Sequence, residues 1–159
     1  MKLLQTFSLL KGQAIFDLSN GEKIGEVTDL VITDDGEVKG LVVKKAKLFN
    51  NAFFLKNKNI AFYGRDAVMI DDSNCLEPFR KTEAYCLQSQ QPLHGKMMLT
   101  REGEQLGLLE DVYFLEELGT IVGYELSDGF FSDVLEGKRV VKTTEPPAIG
   151  KDAIIVNVK

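Results

Sequence analysis

Two stretches of this chain carry the same order of apolar runs and turn residues. The first opens with the apolar run Gln13–Leu18 and turns at Asn20-Gly21. It continues through the long run Ile24–Thr33 and turns again at Asp34-Asp35-Gly36 into Glu37–Lys44. The second opens with Lys96–Thr100, turns at Glu102-Gly103 and continues through Leu106–Phe114. Short runs rich in β-branched and aromatic residues, bounded by glycine, predict strands. Asp34-Asp35-Gly36 predicts a hairpin turn. Gly25 and Gly107 fall inside the long strands, where glycine marks a bulge or a close approach of two backbones. A helical turn capped by Gly137 is predicted over Phe130–Gly137, and a short helix around Leu76–Tyr85.

The two stretches are copies of one module. Gly12, Gly21, Gly25, Asp29, Gly36 and Gly40 fall in order on Gly95, Gly103, Gly107, Asp111, Gly119 and Gly123, with two single-residue gaps. The copies also end alike, Gly64-Arg65-Asp66-Ala67-Val68 against Gly150-Lys151-Asp152-Ala153-Ile154. Ordered matches along a whole module indicate an internal repeat. Short strands with glycine corners favour a closed or nearly closed barrel, which removes exposed sheet edges. The expected organisation is a first barrel over 1–72, a linker over 73–90 and a second barrel over 91–159.

GEKIGEVTDLVITDDGEVKGLVVK followed by IAFYGRDAVMI resembles the PRC-barrel family, and so does EQLGLLEDVYFLEELGTIVGYELSDGFFSDVLEGKRVV followed by PAIGKDAIIV. That family includes the cytoplasmic domain of the photosynthetic reaction-centre H subunit and the C-terminal domain of a bacterial ribosome maturation factor. The resemblance implies a mainly β chain of two tandem, antiparallel, six-stranded β-barrels. It also implies function through protein–protein contact rather than catalysis. The copies differ where the first has Lys44-Lys45-Ala46-Lys47-Leu48-Phe49 and the second Ser127-Asp128-Gly129-Phe130.

The chemical inventory points the same way. His94 is the one histidine and adjoins a loop glycine. Cys75 and Cys86 lack zinc spacing and read as free thiols. Asp34-Asp35 and Asp71-Asp72 lack the interleaved oxygen ligands of a calcium loop, and no phosphate-binding glycine loop is present. No catalytic residue, cofactor or metal is therefore expected. Asp29 and Asp111 recur at one place inside long apolar strands. They are expected to be structural, as carboxylates accepting backbone N–H bonds at a bulge, together with Gly25 and Gly107. No apolar run approaches the ~20 residues of a membrane span, and a cytoplasmic location is expected.

Charge adds a candidate site. The net charge of −5 conceals two arcs of opposite sign. Between Glu37 and Asp66 lie only bases: Lys39, Lys44, Lys45, Lys47, Lys56, Lys58 and Arg65. Between Arg101 and Lys138 lie only acids. Lys44, Lys45 and Lys47 with Phe49, Phe53 and Phe54 are the expected partner-binding residues. The leading expectation is a non-enzymatic adaptor with a protein partner. The alternative is association with RNA or the ribosome through the Lys39–Arg65 arc. The opposed arcs also lead to an expectation of self-association.

Overall fold

A computed structural model describes residues 3–45, 52–80, 85–89, 91–127, 139–143 and 145–158. The expected residues Lys47 and Phe49, and the expected helical turn over Phe130–Gly137, lie outside this set.

The chain folds into two β-barrels in tandem, each built on one copy of the repeat. The first sheet contains six strands from the first copy: β2 (Ala14–Asp17), β3 (Lys23–Ile32), β4 (Val38–Lys44), β5 (Ala52–Lys56), β6 (Ile60–Tyr63) and β7 (Ala67–Ile70). The second contains six from the second copy: β10 (Met97–Thr100), β11 (Gln105–Leu115), β12 (Ile121–Ser127), β13 (Arg139–Lys142), β14 (Ala148–Ile149) and β15 (Ala153–Val156). Among the described residues these twelve strands pair antiparallel except at one place in each copy. There the first and last strands run parallel, β2 beside β7 and β10 beside β15. The two mainly antiparallel barrels are those expected, with this parallel closure as the added detail.

Three further strands are added to these sheets. Strand β1 (Leu4–Thr6) pairs with β11, in the sheet of the second copy. Strands β8 (Glu77–Pro78) and β9 (Tyr85–Cys86) pair with β5 and β3, in the sheet of the first copy. The stretch 73–90 therefore has strands woven into the first sheet. The helix expected around Leu76–Tyr85 is replaced by a 3-10 turn at Ser73–Cys75 and these two strands. Pro78 explains part of the difference: it disfavours helical backbone at Glu77 and supplies no N–H of its own.

Each copy is thus preceded by a segment that crosses to the other barrel. The first, β1 with the single helical turn α1 (Phe7–Leu10), buries Phe7 and Leu10. The second, residues 85–89, buries Cys86 and Leu87. One hydrophobic cluster runs through both copies and both crossing segments. Within it the Tyr63 and Phe114 rings meet edge to face across the two copies at 6.2 Å.

The two hairpin turns meet at an internal two-fold axis. Glu37 and Thr120, each following the turn glycine of its copy, form an antiparallel bridge. Val38 N donates to Gly119 O at 2.7 Å and Ile121 N to Gly36 O at 3.3 Å. Gly36 and Gly119 have φ of +82° and +75°, a conformation in which a Cβ is strained.

Candidate protein-docking surface

The recurrent acids sit where each barrel receives its crossing segment. Both long strands change register at the acid, between Val27 and Asp29 and between Leu109 and Asp111. Asp29 is buried. Its Oδ1 accepts from Leu30 N at 2.8 Å and from Gln88 N at 3.0 Å, and its Oδ2 from Ser89 N at 2.8 Å. Asp111 is buried likewise. Its Oδ1 accepts from Val112 N at 2.8 Å and from Phe7 N at 2.9 Å, and its Oδ2 from Ser8 N at 3.0 Å. Each acid thus clamps the backbone of the incoming segment. Gly25 and Gly107 lie earlier on the same strands. A Cβ on Gly25 would strike Lys44 O, and one on Gly107 would lie 2.5 Å from Ser127 O.

A third buried carboxylate, Asp17, accepts from the Ser19 N–H and hydroxyl and from Ser73 N. The Ser19 hydroxyl, opposed by burial, holds its pKa below the usual carboxylate range. Burial pushes the Cys75 thiol up, which lowers the thiolate fraction that would react. Half-exposed His94 lies 3.2 Å from Glu110 Oε2. Among the described residues no three His, Cys, Asp or Glu side chains are grouped to hold a metal ion. No helix among them is long and apolar enough to cross a membrane.

The basic arc is divided by the fold. Strands β4 and β5 are antiparallel, with Lys44 opposite Ala52 at one end and Gly40 opposite Lys56 at the other. Lys44 and Lys45 therefore lie at one end of the ribbon and Lys39, Lys56 and Lys58 at the other. Five extended residues, about 17 Å, separate Lys39 from Lys44. At the first end Lys45 Nζ stands 4.3 Å from the centroid of the Phe53 ring. Beside it a hollow of ≈ 410 Å³ is lined by Thr28, Val42, Lys44, Ala52, Phe79 and Ser89, with Asp29 at its wall. Phe53 packs against the main core. Phe54 and Phe79 pack against a small outer cluster of Val31, Val42 and Cys86. Of the six expected partner-binding residues, Lys44, Lys45 and Phe53 gather at this end, while Phe54 lies in the outer cluster between the two ends and also lines a hollow at the other. Phe79 was missed because it falls in the expected linker; its signal was an aromatic next to Pro78 in a polar stretch.

The family model of the PRC-barrel domain matches the chain twice, over residues 6–74 and 91–159. The chain belongs to the PRC-barrel domain family. The uncharacterized protein YrrD of Bacillus subtilis (strain 168) is 31% identical over 157 residues, covering 97% of this chain and 88% of the relative. That likeness runs through both PRC barrels and the segment between them.

Proposed function

We propose that this tandem PRC-barrel chain is a cytoplasmic, non-enzymatic adaptor that docks an acidic protein segment at the Lys44 end of the β4–β5 ribbon. The observation that carries the reading is the hollow of ≈ 410 Å³ whose lining brings Lys44 together with Val42, Ala52 and half-buried Phe79. A cation beside apolar side chains suits a carboxylate beside an apolar side chain. The lysine steers the encounter and the apolar lining supplies burial. The rest of the inventory supports a non-catalytic role. The buried acids Asp29 and Asp111 each accept three backbone N–H bonds, a structural use of the carboxylate that supports a non-catalytic reading.

A photo-crosslinking residue at Ala52, in cells, tests the reading. Discrete protein adducts are expected, and Lys44→Glu with Lys45→Glu should abolish them. Adducts sensitive to ribonuclease would instead assign the lysines to RNA, and adducts unchanged by charge reversal would refute docking at this end.

A further inference from the structure

The opposite end of the ribbon carries a different surface. Either side of the Glu37–Thr120 bridge lies a hollow. One, of ≈ 270 Å³, is lined by Lys39, Phe54, Lys56, Asn57 and Lys58. The other, of ≈ 210 Å³, is lined in part by Asp35, Glu37, Thr120, Val122, Glu145 and Pro146. The internal two-fold axis relates the strands that build them. Val122 holds the place in the second copy that Lys39 holds in the first, each following by two the residue at the bridge. Val140 corresponds to Phe54, because Gly123 faces Lys142 as Gly40 faces Lys56. The frames are alike: the second copy keeps an exposed lysine, Lys142, at the place of Lys56, and the acids Asp35, Glu37 and Glu145 turn its hollow net acidic.

One charge in each hollow is neutralised within the chain, Lys56 by Glu77 at 3.3 Å and Glu145 by Arg101 at 2.8 Å. Lys39 and Lys58 remain on one side, Asp35 and Glu37 on the other. All four are exposed, and none has an ion-pair partner among the described residues. Glu37 and Lys39 are two positions apart on extended backbone, so they leave the same face about 7 Å from one another.

We propose that this surface is the interface of a closed two-fold homodimer, with Lys39 and Lys58 of one chain against Glu37 and Asp35 of its partner. A patch basic on one half and acidic on the other, in a frame that already repeats by two-fold rotation, complements its own rotated copy. An isologous interface requires that property, and it closes at two subunits. An acidic foreign protein would satisfy the lysines and leave Asp35 and Glu37 facing like charge. A second copy satisfies both. Phe54, Val122 and the 47%-exposed Val140 supply apolar contact beside the charges. The proposal is independent of docking at Lys44, since the two surfaces occupy opposite ends of the ribbon.

Analytical ultracentrifugation of the full chain tests it with reciprocal charge reversals. The wild type is expected to dimerise at low salt, with a dissociation constant rising tenfold or more as the Debye length falls from about 30 Å to about 3 Å. Lys39→Glu with Lys58→Glu, and separately Asp35→Lys with Glu37→Lys, should each give monomers with unchanged circular dichroism. An equimolar mixture of the two should associate again as a heterodimer, and the fourfold variant should dimerise with itself. A wild type monomeric at low salt overturns the proposal, as does a lysine-reversed variant that stays dimeric. Two folded, monomeric variants that fail to associate on mixing also overturn it. If the acid-reversed variant melts early, the wild type and the lysine-reversed variant still decide the outcome. Crosslinking from Ala52 is unaffected in either case.

Discussion

Replacing Asp111 by alanine removes the acceptor for Val112 N, Phe7 N and Ser8 N together. The bond to Val112 is local, whereas the other two reach across to a segment 104 and 103 positions away. A hydrogen bond to a charged group contributes about 1.5–3 kcal/mol. The two long-range bonds fix the same short segment, so their losses overlap, and the expected cost is about 3 kcal/mol rather than their sum. For a chain of this length about 2–4 °C of melting temperature follows each kcal/mol, so calorimetry should show a fall of about 6–12 °C. Burial of Phe7 and Leu10, each about 1.5–3 kcal/mol, exceeds the lost bonds. The segment should therefore fray rather than leave. Hydrogen exchange should quicken over residues 4–10 and stay slow over 85–89. Asp29→Ala should give the reverse pattern, quickening 85–89 and sparing 4–10. If Asp111→Ala lowers the melting temperature while residues 4–10 keep wild-type protection, the clamp does not hold them and the reasoning fails.

Three other substitutions probe separate parts of the fold. Gly119→Ala places a methyl against Val38 O at a φ of +75° and should cost clearly more than about 1 kcal/mol. Gly12→Ala, at +82° with nothing within 4 Å, should cost only the backbone term of about 1 kcal/mol, and thermal melts of the pair separate the contributions. Phe114→Ala empties a fully buried site against Tyr63 and should cost about 3–5 kcal/mol in urea unfolding. The lowered Asp17 carboxyl contributes stability that is complete above the unfolded carboxylate range, near pH 4, and is lost as pH falls through its folded value. Asp17→Asn should therefore differ most from wild type at neutral pH and converge on it in acid, as read from melting temperature against pH.

The repeat makes the barrels legible in the sequence itself. Turn positions such as Gly36 and Gly119 admit few residues, so glycine spacing survives where other positions drift, and Asp29 and Asp111 stood out as acids inside apolar runs. The groups they bind carry no comparable signal. Backbone N–H donors at Phe7, Ser8, Gln88 and Ser89 are common to nearly every residue type. The crossing strands, three residues in β1 and two in β9, are too short to show an alternation. The basic arc is divided for a topological reason: a run continuous in sequence is folded back on itself by β4 and β5, so Lys39 and Lys44 face different surroundings. The acidic hollow was concealed in the opposite way. Asp35, Glu37 and Glu145 come from both copies and meet only at the internal axis.

The crossing of segments also imposes a timetable on synthesis. Phe7 finds its acceptor 104 residues later in the chain, whereas Asp29 finds Ser89 after 60. At about 5–20 residues per second the first barrel receives its crossing segment some seconds before the second barrel exists. During an interval of about 5–20 s after its own synthesis, the N-terminal segment has no slot, and Phe7 and Leu10 have no permanent cover. Docking of Phe7 and Leu10 therefore waits for β11, whereas the segment at 85–89 can meet β3 as soon as it is made.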